Sequence, residues 1–313
     1  MSRPPAGSSK KTMFSQDDYL APLPLPTGQK PSDCLNIIWR KNDTFLDISH
    51  YSIGSAVALA WFQITFFLAL TFTLNHFAPL AVWPMLLLGS VMVGMFILFL
   101  ILILTRPAPL PMRFNRQRRE VCYLHKNGAY WIVPWESVIA TASQVSSTSQ
   151  GGRITQGVLI ISLENPDPEA VDNTPDVTLS FNCGGGETAM ALWECVRTYM
   201  EVGPDAITDN TSRFTRTKGI LASYLDDLRD AAKRKGWFMT LLWDGFFGVF
   251  VFNTLLADLL ERKKLYPLPD LDHPDIIEWS KPLPPEQWAK PSAELQAALA
   301  RLQAAADPAR PAL

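Results

Sequence analysis

Five arginines follow the longest uncharged stretch of the chain, and they are the residues best placed to bind an anionic ligand. They lie in the sequence "RPAPLPMRFNRQRRE", residues 106–120, at Arg106, Arg113, Arg116, Arg118 and Arg119. A basic residue near an anionic bilayer contributes about 1 kcal/mol to lipid binding. The cluster is therefore a candidate contact for lipid headgroups. It is equally typical of a topology signal at the end of a membrane helix, with some of the arginines then used in the fold.

The residue types that usually carry catalysis or bind metals are scattered along the chain. No HExxH or other paired spacing occurs among the four histidines, which are His50, His76, His125 and His273. No CxxC pair occurs among the cysteines, which are Cys34, Cys122, Cys183 and Cys195, a pattern typical of reduced thiols in a cytosolic compartment. The glycine-rich "CGGGETA", residues 183–189, lacks the Gly-Lys-Ser/Thr ending of a phosphate-binding loop. Solvation explains the acidic loop residues Asp167, Glu169, Asp172 and Asp176. The sequence predicts no enzyme, no metal site and no cofactor.

Two hydrophobic runs precede the arginines and predict a transmembrane hairpin within residues 50–105. From Tyr51 to Thr105 the chain has no Asp, Glu, Lys or Arg. Residues 56–74 and 82–104 are each long enough to cross a hydrocarbon core, which needs about 20 helical residues. Ser90 and Gly94 form a small-xxx-small pair in the second run. Such a pair allows close helix packing, here either within the hairpin, which we favour, or in a homodimer.

Basic residues flank the two outer ends of this hairpin but not its turn. Arg40 and Lys41 precede the first run, and the arginine cluster follows the second. The positive-inside bias predicts that both ends are cytoplasmic, in a multi-pass protein whose N-terminus and main soluble domain face the cell interior.

Period-two alternation after the hairpin predicts a small sheet domain over residues 106–204. Strands are predicted at 120–125, 129–133, 137–145, 157–164 and 177–182, and Asn127-Gly128 is a strong hairpin-turn signal. One helix, from about Glu187 to Met200, follows and ends at Gly203-Pro204. Strands followed by one helix, directly behind a two-span anchor, are the order of a pleckstrin-homology-like domain. The predicted class is an α+β membrane protein with a β-sandwich or roll.

The remaining segments are predicted to be accessory to this domain. Residues 1–49 are expected to be a mobile arm with an ordered part around Leu35 to Trp39. Residues 205–235 are expected to contain a polar helix that begins at about residue 217. Residues 236–260 are hydrophobic but contain Asp244 and have basic flanks. They are therefore an interfacial or re-entrant helix, which we favour, a third span, or a helix packed on the soluble domain. Residues 261–313 are predicted to be a proline-rich tail, extended rather than packed, that either lies along the domain or binds a partner. The tail is predicted to end in a short alanine-rich helix at 293–306.

The sequence resembles a known family of bacterial proteins. The runs "RFNRQRREV" and "VPWESVIA", with the later "ALWECVRTYMEVGP", resemble a family of uncharacterised inner-membrane proteins. In that family two spans precede a pleckstrin-homology-like module, and the genes are often near type VI secretion effectors. The resemblance covers roughly residues 50–204, and its fold signature is Pro134, Trp135, Glu136 and Trp193. It implies a bacterial inner-membrane location and supplies no catalytic residues.

Composition and context together leave three hypotheses for function. Twenty-eight Lys and Arg against 30 Asp and Glu give a net charge of −2, so no nucleic acid partner is expected. The first hypothesis is a non-enzymatic, membrane-anchored interaction protein that binds membrane lipids and a protein partner. By the resemblance that partner is a secreted toxin, with the chain acting as its immunity or accessory protein. The alternatives are a membrane-active secreted effector and a sensor of anionic lipids that uses Arg113 to Arg119.

Overall fold

The backbone passes back and forth between two units of the computed structural model, which describes residues 4–13, 15–33, 35–51, 53–149, 152–167, 176–185, 187–208 and 218–306. The first unit, which we call the sheet domain, comprises Met1–His50, Leu110–Arg213 and Asp270–Leu313. The second, which we call the helical unit, comprises Tyr51–Pro109 and Phe214–Pro269. Each unit therefore combines segments that are distant in sequence.

Strands in the described part of the chain form two five-stranded antiparallel sheets. The strands are β1 (Ser9–Lys11), β2 (Ser15–Ala21), β3 (Ile38–Lys41), β4 (Phe45–Ile48), β5 (Met112–Asn115), β6 (Glu120–Leu124), β7 (Tyr130–Pro134), β8 (Ile139–Ser149), β9 (Gly152–Glu164) and β10 (Asp176–Gly185). One sheet has the order β1-β2-β8-β9-β10 and the other the order β3-β4-β5-β6-β7. The predicted strands of the domain are thus confirmed to within a few residues, except that β8 and β9 are longer.

The α-helices of the described residues are α1 (Ile53–Phe77), α2 (Val82–Thr105), α3 (Thr188–Glu201), α4 (Ile220–Lys235), α5 (Trp237–Thr240), α6 (Thr254–Leu265), α7 (Pro274–Trp279) and α8 (Ala293–Ala306). A π-helix, Leu241–Val251, continues α5. The polar helix predicted from about residue 217 is α4, although residue 217 itself lies outside the described residues. The final residues 307–313 also lie outside them.

Side-chain alternation explains how the strands build the core of the sheet domain. On β9, Leu159, Ile161 and Leu163 are fully buried, and the residues between them are less buried. Helix α3 covers this core with Trp193 and Tyr199, both 0% exposed. Hydrophobic burial on one strand face and one helix face therefore fixes the register of both elements.

The turn between β6 and β7 forms where the Asn-Gly signal predicts it. The His125 amide donates to the Ala129 carbonyl at 2.8 Å, and the Gly128 amide donates back to the His125 carbonyl at 3.0 Å. Gly128 has φ +88°, a conformation that residues with a Cβ rarely adopt.

Strands within residues 9–48 belong to both sheets, so the prediction of a mobile arm is wrong for the described residues of this segment. Strand β2 pairs with β8 from Ser15↔Val145 to Ala21↔Ala140, and β4 pairs with β5. These pairings join residues that are more than 60 positions apart in sequence. Local sequence patterns carry little information about such pairings, which explains the error.

The proline-rich tail packs on the sheet domain. The prediction that this tail is extended rather than packed is therefore wrong. Leu271, Ile276 and Trp279 form a small buried cluster with Cys122 of β6. We call residues 270–295 the strap. The sheet domain therefore extends well beyond the predicted 106–204 and includes segments from both ends of the chain.

Two helices of the helical unit are long and apolar enough to cross a membrane, as predicted. Ile53–Phe77 has 25 residues and a mean hydropathy of 1.9, and Pro79–Thr105 has 27 residues and a mean hydropathy of 2.9. The helices are in close contact at Gly89, where an added Cβ would lie 3.0 Å from the Phe67 ring. Gly94 has nothing within 4 Å of such a Cβ, and Ser90 is exposed. The expected packing of the hairpin through Ser90 and Gly94 is therefore wrong.

The third hydrophobic segment is broken rather than straight. The helix Trp237–Val251 and α6 meet at a 65° bend, the geometry of either a broken span or a re-entrant loop. Asn253 at the break has φ +49°, and its side chain accepts a hydrogen bond from the Leu256 amide at 3.2 Å. Lys235 pairs with Asp244 at 2.6 Å, which compensates the charge that makes this segment unusual for a span.

Candidate functional site

Arg113 is the arginine of β5, and its side chain lies in the interior of the sheet domain. Its Nε and Nη2 donate to the two carboxylate oxygens of Asp47, both at 2.7 Å. Nη2 also donates to Asp270 at 2.7 Å, and Nη1 donates to the Ser280 hydroxyl at 2.9 Å. The guanidinium carbon lies 3.7 Å from the centre of the Phe45 ring. Arg113 therefore uses its charge to join β4, β5 and the strap.

Arg119 performs a similar role at the other end of the arginine cluster. It donates to both carboxylate oxygens of Glu201 at the end of α3, at 3.0 and 2.8 Å, and to Glu136 at 3.0 Å. Trp135 also donates to Glu201, at 2.9 Å, and its ring stacks on Trp193 with a centroid distance of 5.1 Å. The residues of the predicted fold signature thus come together with Arg119, and Pro134 ends β7 beside them.

The burial of these two arginines excludes direct contact with lipid headgroups in this structure. Arg113 is 3% exposed and Arg119 is 8% exposed, so the expectation of a lipid contact is wrong for both. Arg118 donates through Nε to the Trp279 carbonyl of the strap at 2.9 Å. Arg106, directly after α2, is exposed, and its role as a topology or lipid contact stays a prediction.

Gln117, which the sequence did not single out, holds three chain segments together at the turn between β5 and β6. Its side-chain amide donates to the Asp43 carbonyl at 3.3 Å, in the turn between β3 and β4. Its side-chain oxygen accepts from the Leu283 amide at 2.6 Å, and its backbone carbonyl accepts from the Ala289 amide at 2.8 Å. The side chain is 3% exposed, as expected for a residue that serves buried backbone groups.

Arg116 lies next to Gln117 and has a different environment from the other arginines of the turn. Its Nη2 donates to the Val202 carbonyl at 3.1 Å, and its guanidinium lies over the Trp288 ring at 5.2 Å. The Nε of Arg116 is buried without a hydrogen-bond partner. An arginine fixed between a carbonyl and an aromatic face, with donors to spare, is arranged for a polar ligand.

An open groove of about 910 Å³ lies in front of Arg116 and is our candidate functional site. Its walls come from four segments of the sheet domain: the β3–β4 turn, the β5–β6 turn, the loop after α3, and the strap. The lining residues are Asn42, Asp43, Thr44, Arg116, Gln117, Val202, Gly203, Pro204, Asp205, Ala206, Pro282 and Trp288. The lining of the groove includes positively and negatively charged side chains, side-chain amides, prolines and an aromatic ring. We call it the Arg116 groove.

Two further side chains, one from α3 and one from β3, make three hydrogen bonds that hold the segments lining the Arg116 groove. The Tyr199 hydroxyl donates to the Asn42 carbonyl at 2.8 Å, and Lys41 Nζ donates to the Pro204 and Ile207 carbonyls at 3.0 and 3.3 Å. Of the lining residues, the sequence pointed only to Arg116. The others are brought together by tertiary structure, and no spacing in the sequence marks them.

The residue types considered for catalysis stay apart in the described structure. His125 stacks on Trp131, and the His273 side chain accepts from the Asp275 amide at the start of α7. Within the described ranges, no three His, Cys, Asp or Glu side chains are grouped so as to hold a metal ion. The loop carboxylates Glu169 and Asp172, and Cys34, lie outside the residues that the structure describes.

The fold and the groove define an α+β protein that has two helices of membrane-spanning length and a two-sheet domain assembled from three parts of the chain. The chain belongs to a family of unknown function, DUF6708, whose family model matches residues 89–256. The matched part runs from Gly89 in α2 to Leu256 in α6, and includes Arg116 and Gln117 but neither the β3–β4 turn nor the strap. No curated protein and no solved structure matches the chain.

Proposed function

We propose that this protein is a non-catalytic, membrane-anchored interaction module and that the Arg116 groove binds a polypeptide segment of a partner protein. The single observation that supports this most is the composition of the groove. Arg116 has an unpartnered buried donor, and Trp288, prolines and exposed carboxylates surround it. Arginine and aromatic residues are enriched where proteins bind one another.

The strand order supports a pleckstrin-homology-like fold for the sheet domain. Strands β4 to β7 form a four-stranded meander, β8 to β10 form a three-stranded meander in the other sheet, and α3 follows and packs on the core. In this proposal β1, β2 and β3 are additions to the edges. The hairpin α1–α2 then replaces the connection between the first two strands of the meander, β4 and β5.

The Arg116 groove lies at the end of β4 and β5 opposite the residues that lead into and out of the hairpin. The hairpin is inserted between Ile48 and Met112, which are register partners at one end of β4 and β5. The groove is lined by the turns at the opposite end of the same two strands, residues 42–44 and 116–117. We propose that the sheet domain is cytoplasmic in a bacterial inner membrane, because basic residues flank α1 and α2 and are absent from the turn between them.

The partner class that we propose is a secreted effector of a type VI secretion system, with the present chain as its immunity or accessory protein. This part of the proposal depends on the sequence resemblance, and the groove supplies the surface on which it can be tested. The test is co-expression of the chain with effectors encoded in the same gene neighbourhood, with growth and co-purification as readouts. We expect the chain alone to be harmless and to restore growth.

Charge reversal at the rim of the Arg116 groove makes the test specific. Asp43 and Asp205 are both exposed, so the double variant Asp43→Lys/Asp205→Lys is expected to fold normally and to lose rescue and co-purification. Glu286→Lys is the matched control, because Glu286 is an exposed acid of the strap that does not line the groove. Equal rescue by all three proteins would refute the groove as the binding surface. Growth arrest by the chain alone would instead support an effector.

A further inference from the structure

Helix α4 and residues 237–265 that follow it, which we call the bent segment, expose several large apolar side chains in the helical unit. Leu221 and Leu225 of α4 are 66% and 50% exposed and lie one turn apart. Five aromatic residues of the bent segment are each more than half exposed. They are Trp237, Phe238, Trp243, Phe246 and Phe250. An apolar surface of this extent is typically covered by a partner or by lipid.

Other residues of α4 are packed against the rest of the helical unit. Ala231 and Ala232 are buried, and the Tyr224 hydroxyl donates to the Asp244 carbonyl at 2.8 Å. Together with the Lys235–Asp244 ion pair, these contacts lock α4 to the π-helix. The exposed leucines and aromatic rings are therefore held on a rigid surface.

Contacts with α1 show how far the bent segment reaches along the hairpin. Trp61, in the third turn of α1, donates through Nε1 to the Phe250 carbonyl at 3.0 Å, and Phe62 stacks on Phe252 at 6.1 Å. The break at Asn253 therefore lies roughly 13 Å along α1, which is less than half of a hydrocarbon core of about 30 Å.

From Asn253, α6 runs back to the end of the hairpin that holds the start of α1 and the end of α2. The Glu261 side chain approaches Gly54 in the first turn of α1, and Lys264 Nζ donates to the Leu104 carbonyl near the end of α2, at 2.8 Å. Helix α4 begins at the same level, because Arg262 donates to the Lys218 carbonyl at 2.8 Å. These contacts keep the bent segment at one end of α1 and α2.

Three basic residues form the end of α4, directly before the first aromatic residues of the bent segment. Lys233, Arg234 and Lys235 are exposed and directly precede Gly236, Trp237 and Phe238. Adjacent basic and aromatic side chains match the headgroup layer of a bilayer, where cations meet lipid phosphates and aromatic rings lie at the apolar boundary.

We infer that α4 and the bent segment form an interfacial surface that binds an anionic bilayer, in the leaflet at which α1 begins and α2 ends. The lipid contact then belongs to Lys233 and Arg234 rather than to Arg113 and Arg119. This surface lies in a different unit from the Arg116 groove. The rescue test of the groove and the lipid test of this surface therefore succeed or fail independently.

Spin labels on the full-length chain in nanodiscs test the inference. The labels are placed by Leu225→Cys and Phe238→Cys in a Cys34→Ser background, in discs of phosphatidylcholine alone or with phosphatidylglycerol. Asp230→Cys is the matched control, since Asp230 lies half a turn around α4 from Leu221. With phosphatidylglycerol, we expect the labels at 225 and 238 to be severalfold more accessible to oxygen than to a water-soluble nickel complex. The label at 230 should show the reverse.

A charge-neutral variant tests the anionic component separately. In Lys233→Gln/Arg234→Gln, which keeps the ion pair between Lys235 and Asp244, the lipid accessibility at residue 225 should no longer depend on phosphatidylglycerol. Equal nickel accessibility at all three labelled positions in both kinds of disc would overturn the inference. A short distance between labels of two copies, with both shielded, would assign the surface to a dimer instead. A Phe238→Cys label at the bilayer centre would indicate a crossing segment and would also overturn it.

Discussion

Arg113 and Asp47 form a buried, bidentate ion pair across the neighbouring strands β5 and β4. Both hydrogen bonds are 2.7 Å long, and the side chain of Asp47 is 0% exposed. The chain leaves the sheet domain after His50, returns at Leu110, and returns a second time at Asp270, which also binds Arg113. One arginine therefore joins segments of the sheet domain that lie beside three of the four places at which the backbone passes between the two units.

Removing Arg113 is expected to destabilise the sheet domain strongly. In Arg113→Met the buried Asp47 carboxylate keeps only its ion pair with Arg40, at 3.2 Å. Breaking one partner out of a buried ion pair typically costs about 3–5 kcal/mol. We expect a loss of this size in the free energy of unfolding, measured by denaturant titration of the full chain in detergent.

Asp270→Asn is the control for this prediction, because it removes a partner of the same arginine that is itself half exposed. The Asp270 side chain is 54% exposed, so its ion pair is screened by water and the loss should be about 1 kcal/mol or less. Similar losses for Arg113→Met and Asp270→Asn would show that Asp47 does not depend on Arg113.

The local patterns of the sequence predict the elements of this protein well and their assembly poorly. Period-two alternation identifies β6 to β10, and uninterrupted apolar runs identify α1 and α2, because one face or the whole surface of each element is apolar. The pairing of β2 with β8 and the docking of Trp279 are decided by contacts between distant residues. The groove shows the same limit, since Arg116 lies in a recognisable cluster whereas Asp43 and Trp288 have no sequence signal.

Glu194 should make the stability of the sheet domain sensitive to acid. Burial raises the pKa of this carboxyl, but hydrogen bonds from Arg197 and from Thr27 outweigh it, so the pKa is lowered from its usual value of 4.5. A lowered folded-state pKa stabilises the fold above about 4.5, and this contribution disappears as the pH falls through the folded pKa. Wild-type unfolding free energy should therefore decrease below pH 4.5 more steeply than that of Glu194→Gln.

The same substitution should loosen the segment before β3, because Glu194 accepts hydrogen bonds from the Thr27 amide at 3.1 Å and its hydroxyl at 2.9 Å. Amide hydrogen exchange around residue 27 is the readout, and it should accelerate in Glu194→Gln at neutral pH. Glu278→Gln serves as control, because Glu278 is an exposed acid on α7. Parallel pH profiles for wild type and Glu194→Gln would contradict the role given to this carboxyl.

Of the two glycines in α2, Gly89 should not tolerate a side chain, whereas Gly94 should tolerate one. A Cβ at residue 89 would lie 3.0 Å from the Cγ and Cδ1 atoms of Phe67, so the helices must separate or the ring must move. Overpacking of this kind typically costs about 1–3 kcal/mol. The same methyl at Gly94 meets no atom within 4 Å. We expect Gly89→Ala to lower the thermal unfolding midpoint in detergent and to reduce disulfide crosslinking between cysteines placed on α1 and α2, whereas Gly94→Ala should leave both unchanged. A larger effect at Gly94 than at Gly89 would mean that the exposed Ser90–Gly94 face is covered by a second copy of the helix in the membrane.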